Sequence, residues 1–324
     1  MKVFISRKLP EAGLKLLQEA GCIITEYTDR KELSQDDLIK ACAGQDALIS
    51  IGPNKLNEPF FKACGHLKVI SLLSVGFDNV DVAAATLANI PVGNTPDVLS
   101  KATSDVAFLL MLATSRKAFF MHQQIINGNW GFYDPNSNLG QELYNKTLGI
   151  FGLGKIGLEL ARKCKLAYNM NIIYHNRRQN MEAEKELDAR YVSFDELLQQ
   201  SDVLSVHANL SKETKGLFNK AAFAKMKPTA IFINTARGEE HNEADLIAAL
   251  EQHIIWGAGL DVSNPEPMAK DNPLLFMPSV CVLPHIGSAT MEARSAMAVL
   301  AAQNILAGLQ GRPLPHIINK EVYH

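Results

Sequence analysis

Residues 146–178, KTLGIFGLGKIGLELARKCKLAYNMNIIYHNRR, decide the fold. Thr147–Phe151 is a short apolar, β-branched run of the kind that makes a buried strand, and Gly152-Leu-Gly154-Lys155-Ile156-Gly157 follows it with no spacer. Leu158–Ala167 carries a helical pattern and Asn171–His175 reads as a second strand. A strand, a glycine-rich turn, a helix and a strand in that order predict a dinucleotide site. Gly152 permits the tight turn, Gly154 lets a pyrophosphate approach the amides at the helix N-terminus, and Gly157 lets helix and strand pack closely. A glycine-rich turn with no ligand is the bland alternative, and the correct spacing of both flanking strands weighs against it.

The tip of the second strand bears on which dinucleotide is bound. NAD-binding chains place an Asp or Glu there to hold the ribose hydroxyls, whereas this chain has His175-Asn176-Arg177-Arg178. Two guanidinium groups beside Asn176 suit a ribose 2′-phosphate, because their forked donors match phosphate oxygens and no carboxylate repels it. The expectation is NADP(H), with NAD(H) possible; solvated surface arginines are the other reading.

At 324 residues the chain has room for two domains, each with its own core. It is 47% hydrophobic and 20% charged with net charge −2, the profile of an ordinary globular protein, and nothing suggests a nucleic-acid or membrane partner. Val106–Ala113, the longest apolar run near a helix, is far short of the roughly twenty residues of a membrane span. The opening MKVFISRKLPEAG reads as strand then helix, not a signal peptide. Cys22, Cys42, Cys64, Cys164 and Cys281 are scattered and odd in number, which fits thiols in a reducing, cytoplasmic setting. The sequons at Asn145 and Asn209 then read as chance.

Outward from 146–178, apolar runs alternate with helical patterns: Val3–Ile5, Pro10–Ala20, Cys22–Tyr27, Ser34–Cys42, Ala47–Ile51, Pro59–Cys64 and Leu67–Leu73. Such alternation builds a parallel sheet covered on both faces. Ser100 opens a long helix predicted to run to about Gln124, so a domain boundary falls near 100. After the aromatic loop 128–145, with Trp130, Phe132 and Tyr133, the alternation resumes: helix Ser193–Gln200 with a Ser193/Glu196 capping box, strand Val203–His207, helix Lys220–Met226, strand Ala230–Asn234, helix Asn242–Gln252, and strands Trp256–Leu260 and Val280–Leu283. A last helix, Ser288 to about Leu309, carries the chain back to the first domain.

Three residues that follow strands in this half could carry chemistry: Arg237, Glu266 and His285. Reducing a 2-keto acid needs a fixed cation for the carboxylate, a hydride donor and an acid for the developing alkoxide. Arg237 suits the first role, His285 the acid, and Glu266 would favour the imidazolium. Taken singly, each has a bland reading: a surface charge, a turn residue between prolines, a structural histidine. The segment SVGFDNVD, 74–81, would present the Val75 and Gly76 amides at another strand end. There is no H-E-x-x-H, no G-x-S-x-G and no G-x-x-x-x-G-K-[ST], and the remaining histidines lack metal-ligand spacing.

The segments SVGFDNVD, NTPDVLSKATSD, KTLGIFGLGKIG, FINTARGE, GAGLDVSNPEP and LPHIGSAT, with Asn304 and the Gly311-Arg-Pro turn, span nearly the whole chain in one order. The chain thereby resembles the D-isomer-specific 2-hydroxyacid dehydrogenases, and within them the glyoxylate/hydroxypyruvate reductase branch. The resemblance implies an α/β enzyme of two doubly wound parallel-sheet domains: a Rossmann cofactor domain, 100–287, inserted in a flavodoxin-like substrate domain, 1–99 plus 288–324, with the active site in the cleft. It implies that Arg237, Glu266 and His285 are catalytic and that Val75, Gly76 and Ser288 bind substrate. Gly152, Gly154, Lys155, Ile156, Gly157, Asn209, Thr235, Asp261 and Gly287 fall at cofactor positions, with Asn176, Arg177 and Arg178 at the ribose phosphate. Members of this branch are homodimers joined through the cofactor domain, with a loop aromatic from the partner reaching the active site; Trp130 is its counterpart.

Departures from the family pattern are Asn209 for a usual proline, Asp97 for a usual glycine, and His241-Asn242 after Arg237-Gly238-Glu239-Glu240 where aliphatics are more typical. The expected reaction is reduction of glyoxylate or hydroxypyruvate to the D-2-hydroxy acid with NADPH. The alternatives are a D-lactate or phosphoglycerate type dehydrogenase, or a dinucleotide-sensing protein like the related transcriptional corepressors.

Overall fold

Short apolar, β-branched runs that end in turn residues become buried parallel strands when helices cover both faces. The computed structural model, which describes all 324 residues, has two such sheets. The chain divides into one unit of residues 1–99 with 288–324 and a second of residues 100–287.

In the first unit, β1 (Lys2–Ile5), β2 (Ile23–Glu26), β3 (Ala47–Ser50), β4 (Val69–Leu72) and β5 (Val92–Gly93) form a parallel sheet in the order β2-β1-β3-β4-β5. β3 and β4 are buried throughout, whereas β2, at the edge, alternates between exposed and half-buried positions. Ser34 caps the helix Gln35–Cys42 by accepting the Asp37 N–H. The helix Met291–Leu309 lies against β4 and against the helix Glu11–Glu19, and small residues allow the approach. A Cβ on Gly308 would stand 2.5 Å from Val69 Cβ, and one on Gly13 would stand 2.6 Å from the Ala298 carbonyl oxygen. Asn304, fully buried on this helix, donates to Ser71 Oγ and to the Asn94 carbonyl and accepts from His316 N–H. It ties the returning tail to the sheet.

In the second unit, β6 (Thr147–Phe151), β7 (Asn171–His175), β8 (Arg190–Tyr191), β9 (Val203–Val206), β10 (Ile231–Asn234), β11 (Gly257–Leu260) and β12 (Val280–Val282) form a parallel sheet in the order β12-β11-β10-β9-β6-β7-β8. Two apolar layers cover its faces, one built around Leu110, Leu148, Ile150 and Leu160, the other around Val206, Phe218, Phe223 and Phe232. The helix Phe194–Gln200 starts with the predicted reciprocal capping box between Ser193 and Glu196.

Two helix ends differ from the sequence reading. The helix predicted over Ser100–Gln124 is two helices, Ser100–Ser115 and Ala118–Ile126, broken at Lys117 in the left-handed region with φ +54°. The Ser115 carbonyl accepts Gln141 N–H at 2.8 Å, so the helical ladder is diverted to a segment 26 positions away that no local pattern announces. The last helix starts at Met291, not Ser288, because Thr290 takes the N-cap and accepts Ala293 N–H. No helix is long and apolar enough to cross a membrane.

Asn304→Leu would strand the Asn94 carbonyl and the His316 N–H in the interior. With about 1–3 kcal/mol for each group left unsatisfied, a clear fall in Tm is expected in thermal unfolding of the full chain.

Candidate active site

In a parallel sheet every strand ends on the same edge, so the loops after β6, β7, β9, β10, β11 and β12 assemble there. The glycines of the first loop differ in what surrounds them. Gly152 has φ +94° and a Cβ there would meet Ala208 N at 2.5 Å; at Gly157 it would meet the Gly152 carbonyl oxygen at 2.9 Å. At Gly154 it would meet nothing within 4 Å. Gly154 is also the N-cap of the helix Lys155–Tyr168 and offers no side chain to its first N–H groups. An open glycine before an uncapped helix start suits a pyrophosphate, which would occupy the space a Cβ would fill.

Asn176 turns back onto this loop, accepting Leu153 N–H at 2.6 Å and donating to the Leu153 carbonyl at 3.3 Å. Asn180 donates to the same carbonyl. Arg177 and Arg178 are exposed just beyond β7. Across β9, His207 Nε2 lies 2.8 Å from Ser205 Oγ, and its Nδ1 lies 3.4 Å from Thr235 Oγ1; burial pushes its pKa down to about 3, so the ring is neutral. Asn209 is exposed, and its carbonyl accepts the Thr214 hydroxyl.

Arg237 follows β10 and is half-buried, with Nη1 on the Ala236 carbonyl at 2.8 Å. Gly238 is required behind it, since a Cβ would come within 2.0 Å of the Ser263 carbonyl oxygen in the loop that leads to Glu266. His285 follows β12 with φ +54°, a left-handed conformation uncommon for a residue with a Cβ. Asp261, at the end of β11, holds the backbone there: its two carboxylate oxygens accept Ile286 N–H at 2.8 Å and Gly287 N–H at 2.7 Å. Burial raises the Asp261 pKa against the pull of those amides.

His285 Nδ1 and Glu266 Oε1 are 2.6 Å apart. Burial pushes Glu266 up, but the hydrogen bond to His285 and the charges of His285 and Arg237 outweigh it and hold the carboxyl below its usual range. An ionised carboxylate can only accept, so Nδ1 carries the hydrogen and Nε2 is the nitrogen left for proton exchange. In the first unit, the Val75 and Gly76 carbonyls accept from Asn94 Nδ2 and Ser74 Oγ, which fixes those two peptide groups; the Ser288 carbonyl accepts from Arg294 Nε. Trp130 is 80% exposed, beside Phe132 and Tyr133. The sequence reading missed the second tasks of Asp261 and Asn176 as backbone clamps, which only the folded loops reveal.

This arrangement, strand-end glycines for a dinucleotide and a cation with a carboxylate–imidazole pair on the same sheet edge, is that of a nicotinamide-dependent dehydrogenase. The sequence profile of the D-isomer specific 2-hydroxyacid dehydrogenase, NAD binding domain, matches residues 108–287. The chain belongs to this family and is an NAD(P)-dependent 2-hydroxyacid dehydrogenase. It is 40% identical to the glyoxylate reductase of Pyrococcus furiosus over 325 aligned residues, covering 99% of this chain and 96% of that one. It is 39% identical to the human glyoxylate reductase/hydroxypyruvate reductase, covering 97% of each chain. A solved structure of the NADPH-dependent glyoxylate/hydroxypyruvate reductase of Sinorhizobium meliloti, in complex with NADP and malonate, superposes with a TM-score of 0.84 at 30% identity, covering 99% of this chain and 97% of that one.

The environments of the glycines separate binding from folding. Gly154→Val is expected to weaken dinucleotide binding at least tenfold in a fluorescence titration with Tm nearly unchanged, whereas Gly152→Val lowers Tm as well.

Proposed function

We propose that this enzyme reduces glyoxylate or hydroxypyruvate to the D-2-hydroxy acid, using NADPH. The observation that carries the reading is the 2.6 Å His285–Glu266 pair on the sheet edge that also bears Arg237. A bound reduced nicotinamide would supply the hydride to the keto carbon. Arg237 clamps the substrate carboxylate and polarises the carbonyl, and the Val75 and Gly76 amides and Ser288 join in binding the acid. His285 gives its Nε2 proton to the oxygen as the carbonyl becomes an alcohol, and Glu266 stabilises the imidazolium beforehand. On this reading residues 1–99 with 288–324 are the substrate domain and 100–287 the cofactor domain. Gly152, Gly154, Lys155, Ile156 and Gly157 take the pyrophosphate side, and Asn209, Thr235, Asp261 and Gly287 the rest of the dinucleotide.

The choice of NADPH rests on the strand tip. Asn176 is occupied with the glycine loop, no carboxylate takes its place, and the exposed Arg177 and Arg178 offer forked donors to a 2′-phosphate. The homodimer rests on apolar surface: no residue of the helix Ala118–Ile126 is buried, and Trp130, Phe132 and Tyr133 are 80%, 91% and 85% exposed in the loop after it. A second copy of this chain would cover that face and bring Trp130 to the partner's site. The free cysteines fit a cytoplasmic enzyme.

Absorbance at 340 nm with glyoxylate or hydroxypyruvate should fall faster with NADPH than with NADH, and Arg177→Ala/Arg178→Ala should lose the preference. Turnover with NADH alone would overturn the cofactor assignment, and no turnover with either acid would overturn the substrate. Glu266→Gln replaces the carboxylate that accepts the His285 Nδ1 hydrogen, so the reduction rate should fall at least tenfold with the KM for NADPH nearly unchanged. An unchanged rate would count against the pair as proton donor.

A further inference from the structure

The turn that carries Arg237 is shaped by polar groups buried beneath it. Asn234, fully buried at the end of β10, accepts Ala236 N–H on Oδ1 at 2.9 Å. Its Nδ2 donates to the Arg237 carbonyl at 2.8 Å and to His241 Nδ1 at 3.1 Å. The Arg237 N–H reaches Glu240 Oε2 at 3.3 Å. Glu240 and His241 are 0% and 2% exposed.

Burying two polar side chains is unfavourable unless they are hydrogen-bonded. The bonds here give the Asn234 amide a single orientation, with an N–H donor facing its oxygen and two acceptors facing its nitrogen. His241 can accept only while Nδ1 is unprotonated, and burial pushes its pKa down to about 4, which keeps the ring neutral. The backbone that carries His241 is also tied to a segment outside the Arg237 turn. Gly216 N–H and Phe218 N–H donate to the Glu239 and Glu240 carbonyls, and Asn242 N–H donates to the Phe218 carbonyl.

We infer that His241 is a positioning residue for Arg237: acting through Asn234 it fixes the 235–237 turn that aims the guanidinium, while Glu240 holds the Arg237 N–H. This rests on the proposed role of Arg237 as the clamp on the keto-acid carboxylate. Such a clamp works only within about 0.5 Å and 10–20° of its productive geometry, so a turn that loses one of its holding bonds loses substrate affinity first.

The test compares His241→Leu with His241→Asn, since an Asn side chain can present Oδ1 near the place of imidazole Nδ1. In His241→Leu the KM for glyoxylate or hydroxypyruvate should rise roughly tenfold with a smaller change in kcat and none in the KM for NADPH, and His241→Asn should recover most of the loss. An unchanged keto-acid KM in the Leu variant would overturn the inference. So would equal losses in both variants with the KM for NADPH rising in step, which marks general disruption. Nitrogen-15 NMR of the wild-type imidazole tests the bond without substrate: an unprotonated Nδ1 at neutral pH is expected, and a proton there overturns the inference even if the Leu variant fails to fold. Wild-type enzyme that turns over no 2-keto acid, yet shows the unprotonated Nδ1, would sink the functional reading while leaving the brace on the turn in place.

Discussion

Parallel pairing of seven strands is the constraint on which the second unit depends. It brings the carboxyl ends of six successive loop-bearing strands to one edge, so Gly152, Asn176, His207, Arg237, Asp261 and His285 share that edge although 133 positions separate the first from the last. Each strand there is held by neighbours on its own terms: β6 lies between β7 and β9, and β10 between β9 and β11. The loops inherit their positions from that ladder, and only their local geometry remains to be set by side chains.

Those side chains are largely polar groups that hold backbone. Asp261 holds the amides beyond His285, Asn234 holds the turn of Arg237, and Asn176 holds the glycine loop. Each of the three bonds main-chain groups through both of its terminal polar atoms. A carboxylate–imidazole pair such as Glu266–His285 can remain half-exposed because the backbone under it is already fixed. Rigid support under an accessible reactive group is the arrangement that chemistry on a small acid requires.

Much of this was legible along the chain. Strand and helix alternation predicts parallel sheets, because each apolar run is too short to be anything but a buried strand and each intervening segment carries a helical stripe. The capping signal at Ser193 is local and holds in the fold. The break at Lys117 was not legible, because its cause is a hydrogen bond from Gln141 to Ser115 that joins distant segments. The start of the last helix was misread by three residues because Ser288 and Thr290 are both good caps and only the folded backbone chooses between them.

The sequence by itself determined the two-sheet α/β class, the glycine-rich turn with its flanking strands, and the candidacy of Arg237, Glu266 and His285, since these follow from periodicity, spacing and residue chemistry within short windows. Tertiary structure alone decided that Glu266 meets His285 at 2.6 Å, that Asp261 spends both oxygens on the Ile286 and Gly287 amides, and that His241 stands behind Asn234. The reason is that hydrogen bonds between loops depend on where separate strands end in space, and strand order and register, not neighbouring residues, set those ends.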